Sequence, residues 1–163
     1  MKSEIFSNSI STIEQAVLER NYAKDRKDIF VLTNGCFDLL HSGHVYSLVE
    51  AAKHGNSLWV AINSDESVRL LKGNERPIVS AEQRAYVLNN LQCVNGVITF
   101  SSERLTKVIM SIKPDVYVKS SDYDINSLDP AEKEALEKVG AKIEFVPLLN
   151  EVSTSKLIAK IRS

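Results

Sequence analysis

Apolar residues in this chain fall into short, β-branched runs separated by stretches with helical spacing. Runs at 29–34, 57–63, 94–100, 116–119 and 142–146, such as Ser57-Leu-Trp-Val-Ala-Ile-Asn63, read as buried strands. Val45, Leu48, Val49 and Ala52 recur on one helical face, as do Leu105, Val108, Ile109 and Ile112. Ser11-Thr-Ile-Glu14 and Ser80-Ala-Glu-Gln83 have capping-box spacing, which predicts helices over 12–24 and from Ser80 to about Leu91. A short helix is predicted over 65–71, another from Asp129-Pro130 to Gly140, and a closing one over 153–161. The charged stretch 22–27 reads as a connector, so 1–27 forms a helix and connector ahead of a core spanning 28–163.

Strands alternating with helices imply an α/β fold, a Rossmann-like, doubly wound, five-stranded parallel sheet with helices on both faces. In such sheets ligands sit beyond the carboxyl ends of the strands, where the strand order reverses. A length of 163 residues fits one domain with a sizeable core. Hydrophobic content of 44% and charged content of 25% are ordinary, and a net charge of −1 gives no footing for nucleic acid or an anionic membrane. No window approaches the roughly 20 apolar residues of a membrane span, and residues 1–8 lack a signal-peptide core. Cys36 and Cys93 are too few for a disulfide framework. These features predict a cytoplasmic protein whose anion sites are built from local groups.

The chemistry concentrates in Thr33-Asn34-Gly35-Cys36-Phe37-Asp38-Leu39-Leu40-His41-Ser42-Gly43-His44, where a strand's carboxyl end turns into a helix. Free N–H groups and the positive end of a helix dipole suit phosphate there. His41 and His44 share one face of the first turn and add donors that strengthen as charge grows at phosphorus. Such an arrangement is suited to nucleotidyl transfer. Gly43 lets the backbone approach a nucleotide closely. Asp38 would orient a histidine, help hold Mg²⁺ near the phosphates, or cap the loop. Thr33, Asn34 and Gly35 would lend donors to a triphosphate or shape the turn, and Cys36 and Phe37 belong to the same expected nucleotide site. Cys36 with the two histidines matches no tetrahedral zinc spacing and lacks a fourth ligand.

The pattern Gly35-x-Phe37-Asp38-x-x-His41-x-Gly43-His44 resembles the signature of the cytidylyltransferase-like nucleotidyltransferases. The likeness continues through Asn63-Ser64-Asp65, Leu71-Lys72-Gly73, Arg76-Pro77, Glu82-Gln83-Arg84, Val118-Lys119, Asp122-Tyr123 and Ser153-Thr154. Within that family the chain is most similar to the adenylyltransferases that activate heptose 1-phosphate as an ADP-heptose. The cytidylyltransferases acting on glycerol 3-phosphate come next. The resemblance implies Mg²⁺-dependent transfer of a nucleoside monophosphate, from ATP ahead of CTP, to a small phosphorylated sugar or polyol, with release of pyrophosphate. The Mg²⁺ would be carried by the phosphates. The resemblance also implies a homodimer, for which Tyr86, Val87 and Leu91 would supply an interface unless they belong to the core, and with no kinase-sized segment in 163 residues a stand-alone form is expected.

Lys72, on a segment expected to be flexible through Arg76-Pro77, would bring charge to bound phosphates. Arg76 and Arg84 are candidates to grip the acceptor phosphate, with Arg84 on an exposed or half-exposed helix side. Asn63 and Asp65, after the second strand, would contact the acceptor or cap the next helix. Lys119 and Asp122 end the fourth strand near the ribose or triphosphate. Relatives carry glycines where Ser120 and Ser121 stand, which narrows the approach to the nucleotide here. Ser153-Thr154 at a helix N-terminus forms a second phosphate cradle. The arginine that precedes that pair in the glycerol phosphate branch is absent, which favours the heptose branch. Two readings compete: a nucleotide-binding module without turnover, and a fragment of a class I aminoacyl-tRNA synthetase. Against the latter stands the lack of a Lys-Met-Ser-Lys loop.

Overall fold

A computed structural model describes residues 6, 9–102, 104–120, 127–147, 149 and 153–163, the side chain of residue 162 apart. Helix α1 (Ile13–Arg26) is followed by β1 (Phe30–Gly35), α2 (Ser42–Ala52), β2 (Ser57–Asn63), α3 (Asp65–Lys72) and α4 (Ala81–Asn89). Then come β3 (Gly96–Phe100), α5 (Thr106–Ile112), β4 (Val116–Ser120), α6 (Pro130–Val139), β5 (Lys142–Val146) and α7 (Thr154–Arg162). All five strands are parallel, in the order β3-β2-β1-β4-β5. The order reverses between β1 and β4, which pair with Leu32 beside Tyr117 and Thr33 beside Val118.

Side-chain alternation assigns the two faces. Phe30 and Leu32 of β1 join Trp59, Ala61, Ile98 and Tyr117 under α1, α5 and α6. Val31 joins Leu58, Val60, Ile62, Val116 and Val118 under α2 and α4. Because both faces are covered, the strands read as near-continuous apolar runs rather than as alternating ones. Phe30 and Trp59 stack with ring centroids 5.8 Å apart across neighbouring strands. The expected α/β sheet is the sheet observed.

Two expected caps are placed differently. The capping box of α1 joins Thr12 to Gln15, one residue beyond the Ser11–Glu14 pair that the sequence suggested. Ser11 is instead engaged through its backbone N–H, which donates to Val97 at the edge of the sheet (2.8 Å). Ser80 precedes α4 without capping it through its side chain, and Asp65 Oδ1 accepts the Ala81 N–H instead (2.8 Å). Among the described residues no helix is long and apolar enough to cross a membrane.

Candidate active site

The carboxyl ends of β1 and β4 and the N-termini of α2 and α7 border one cleft of about 1040 Å³. It lies where the strand order reverses, the position at which open parallel sheets bind ligands. Two helix N-termini facing one space bring two sets of unpaired N–H groups to it. His41 caps α2 in an extended conformation, and its Nδ1 accepts the Gly43 N–H at 3.1 Å. In the neutral ring this puts the proton on Nε2, the nitrogen left for a ligand. The His44 ring stacks on His41 with centroids 3.8 Å apart and tilts against Phe37 at 5.3 Å.

Burial pushes the His44 pKa down to about 4, with His41 adding to the effect and the Leu39 carbonyl opposing it. Burial lowers His41 as well. Burial thus favours the neutral form of both imidazoles, in which each ring keeps one N–H to donate. Positive charge in the cleft comes instead from Lys72, Arg76 and Lys119, all of which line it. Lys72 is the exposed last residue of α3, and Gly73 follows it at φ 94°, a conformation that favours glycine.

Asp38 is almost fully buried. Its Oδ1 accepts the Ile78 N–H (2.8 Å) and the Val79 N–H (2.9 Å), and its Oδ2 pairs with Arg76 Nε. Burial alone would raise its pKa, but the Val79 and Ile78 N–H groups and the Arg76 guanidinium outweigh that and hold it below the usual value. The segment expected to be flexible is thus tethered to the histidine loop at three points. Arg76 lines the cleft, and among the described residues its side chain is engaged through Nε alone, which leaves its two Nη groups for an anion.

Arg84 departs from expectation. It lies on no exposed helix side: the residue is 2% exposed and does not line the cleft. Its Nη1 donates to the Cys36 carbonyl at 2.6 Å, and its Nη2 to the Asn63 carbonyl at 2.9 Å and Asp65 Oδ1 at 2.7 Å. Nε donates to the Val79 carbonyl at 2.9 Å. A buried guanidinium is tolerated here because four of its five N–H groups find oxygen partners. Arg84 therefore clamps the ends of β1 and β2 to α3 and the 76–79 segment, and Asp65 serves this clamp rather than the cleft.

The remaining candidates divide by what their polar atoms already do. Thr33 lines the cleft, but its hydroxyl donates to the Val118 carbonyl at 2.9 Å. Gly35 is needed because a Cβ there would come within 2.8 Å of the Phe37 ring, whose backbone sits at φ 48°. Cys36 Sγ lies 3.6 Å from Asn63 Oδ1, and burial raises its thiol pKa against Lys72, Arg84 and Arg76, so it is held as the thiol. Asn63 Nδ2 donates to Ser67 Oγ, while the capping of α3 falls to Ser64. Ser153 caps α7 through Lys156 N, and Thr154 follows, both at the cleft. Gly43 also lines the cleft, and Asp122 lies outside the described residues.

Two further residues, Ser47 and Tyr117, border the site. Ser47 lines the cleft one turn beyond His44, and its spacing from that histidine was the signal available. Tyr117 donates from its hydroxyl to Asn34 Oδ1 at 2.8 Å, and Lys119 Nζ donates to the same atom at 2.8 Å. A tyrosine among valines in a buried strand signals a hydroxyl that requires a partner.

Mg²⁺ finds no ligand set in these side chains. The carboxylates at the cleft wall are committed: Asp38 as above, Asp129 to Arg104 and the Ala131 and Glu132 N–H groups, and Glu132 Oε1 to Leu105 N. Among the described residues no cluster of three or more His, Cys, Asp or Glu is placed to hold a metal ion.

Residues 32–160 match the family model described as cytidylyltransferase-like. The chain is 40% identical over 146 residues to "Bifunctional protein HldE" of Citrifermentans bemidjiense, covering 90% of this chain and 29% of that protein. It is 45% identical over 130 residues to the protein of the same name from Koribacter versatilis, covering 80% and 26%. The chain thus spans less than a third of the length of these curated relatives. A crystal structure of a lipopolysaccharide core biosynthesis protein from Thermoplasma volcanium superposes with a TM-score of 0.60 at 28% identity, covering 74% of this chain and 96% of that one. With its paired histidines on a helix N-terminus over the switch point, the chain belongs to the cytidylyltransferase-like family of nucleotidyltransferases.

Proposed function

We propose that the cleft transfers a nucleoside monophosphate from a nucleoside triphosphate to a small phosphorylated sugar, with ATP and heptose 1-phosphate as the preferred pair. A phosphate oxygen of the acceptor attacks the α-phosphorus, a new P–O bond forms, and the bond to the β-phosphate breaks to release pyrophosphate. The observation that carries this reading is the stacked His41–His44 pair on the α2 N-terminus, with the α7 N-terminus at the same cleft. Neutral imidazole N–H groups and helix-end amides gain most where negative charge develops, at the transferring phosphoryl group. Lys72 and the Nη groups of Arg76 balance the charge of the leaving pyrophosphate and the acceptor.

The heptose preference is supported by the HldE relatives and by the lipopolysaccharide core context of the structural neighbour. Mg²⁺ supplies charge neutralisation as part of the bound triphosphate. A homodimer and a cytoplasmic setting belong to the same proposal. Half-exposed Tyr86 and Val87 on α4 offer an apolar surface to a second copy. The test is pyrophosphate release with Mg²⁺, pairing ATP and CTP separately with heptose 1-phosphate and glycerol 3-phosphate. Turnover confined to ATP with the heptose phosphate supports the proposal. Turnover confined to CTP with glycerol phosphate replaces it with the cytidylyl reading.

A further inference from the structure

Tyr117 is fully buried in β4, among side chains where phenylalanine would fill the same space. A buried phenol needs a partner for its hydroxyl. Here it donates to Asn34 Oδ1 at 2.8 Å and accepts from Lys119 Nζ at 3.4 Å, while Lys119 Nζ donates to Asn34 Oδ1 at 2.8 Å. An ammonium group offers no acceptor, so the carboxamide atom that faces it is the oxygen. Chemistry therefore sets the orientation of Asn34. Its Nδ2 has no protein acceptor among the described residues and is the end left for the cleft that Asn34 lines.

The cluster straddles β1 and β4 where the strand order reverses. Two donors on one carbonyl oxygen polarise the amide and strengthen its N–H as a donor, and the neighbouring ammonium favours an anionic acceptor. We propose that Tyr117 is a positioning residue, holding the Asn34 carboxamide so that Nδ2 donates to an anionic phosphoryl oxygen of the bound nucleotide. This deepens the nucleotidyl-transfer reading and rests on it. Without the phenol hydroxyl, Asn34 is held only by a lysine side chain, and its amide samples rotated orientations that present oxygen to the anion. Affinity falls while the ring, and with it the packing of β4, stays in place.

The test uses the whole chain, with calorimetric titration of Mg·ATP and Mg·CTP and steady-state kinetics on the productive pair. Tyr117→Phe is expected to weaken binding of the preferred triphosphate and raise its KM by about fivefold, the worth of one neutral hydrogen bond. Its kcat changes by less than about twofold, the KM of the acceptor is unchanged, and the melting temperature stays within a few degrees. In an Asn34→Ala background, Tyr117→Phe is expected to add nothing, since its effect runs through Asn34. Asn34→Asp, which replaces the donor by an acceptor, weakens binding by about tenfold or more. The inference is overturned if Tyr117→Phe binds nucleotide like the wild type. It is also overturned if the loss persists in full after Asn34 is truncated, or falls on the acceptor KM alone. If the wild-type protein binds neither triphosphate, the reading of the site fails and this inference with it, an outcome distinct from failure of the variants alone.

Discussion

Asp38, in the loop after β1, is ion-paired to Arg76, in the segment between α3 and α4. The same carboxylate takes the N–H groups of Ile78 and Val79, and the Val79 carbonyl accepts from Arg84. Residues 76–79 are thus held by Asp38 from one side and by Arg84 from the other. The geometry of the histidine loop and of the cationic wall beside it is set by one continuous network rather than by two independent loops.

Asp38→Asn retains a hydrogen-bonding side chain but removes the charge that balances Arg76. Loss of one partner from a buried pair leaves the other uncompensated, at a cost of about 2 kcal/mol. Denaturant titration at pH 7 measures it. The Asp38 pKa is held below its usual value, so its stabilisation is present above about pH 4 and is lost as pH falls through the lower folded value. Below pH 4 the wild type is therefore expected to lose its advantage over Asp38→Asn.

Arg84→Lys is a sharper discriminator between clamp and substrate contact. A lysine cannot reproduce four bonds in a planar fork, so unfolding stability is expected to fall by about 3 kcal/mol. Were Arg84 a grip on the acceptor phosphate, the variant would melt normally and show only a raised acceptor KM.

His44 predicts a pH dependence at milder acidity. Its folded pKa of about 4 lies below the usual value of about 6.5, so between these values the unfolded chain binds a proton that the folded one refuses. Stability of the ligand-free protein is therefore expected to decline as pH falls from about 6.5 to about 4, by up to about 3 kcal/mol in total. His44→Gln should flatten that part of the profile. A bound triphosphate stabilises the protonated ring, so nucleotide binding near pH 5 should take up protons, measurable as buffer-dependent heat.

Lys72 is exposed and has no hydrogen-bond or ion-pair partner among the described residues, so its removal costs the fold nothing. Lys72→Gln is expected to lower kcat/KM by about tenfold or more while the melting temperature stays within about 1 °C. Unchanged turnover would remove Lys72 from the reaction.

How legible each feature was depended on how local its cause is. The strands were readable because a sheet covered on both faces demands unbroken apolar runs, and the histidine loop because strand, turn and helix are contiguous there. The buried position of Arg84 is not legible, because its guanidinium is held by the Cys36, Asn63 and Val79 carbonyls, which no pattern on α4 reveals. The cap of α1 slipped by one residue because Ser11 and Thr12 are chemically equivalent caps, and a backbone pairing of Ser11 with the sheet edge decides between them. The role of Tyr117 depends on register, since pairing of β1 with β4 brings its hydroxyl within reach of Asn34.

The most direct test of the central claim is pyrophosphate release by the wild type and by His44→Ala, with Mg·ATP and heptose 1-phosphate. The account predicts turnover by the wild type and a loss of at least about a hundredfold in kcat for the variant, with ATP binding retained. Equal turnover by the two proteins, or none by the wild type with any pairing of ATP or CTP and a sugar or polyol phosphate, would contradict it.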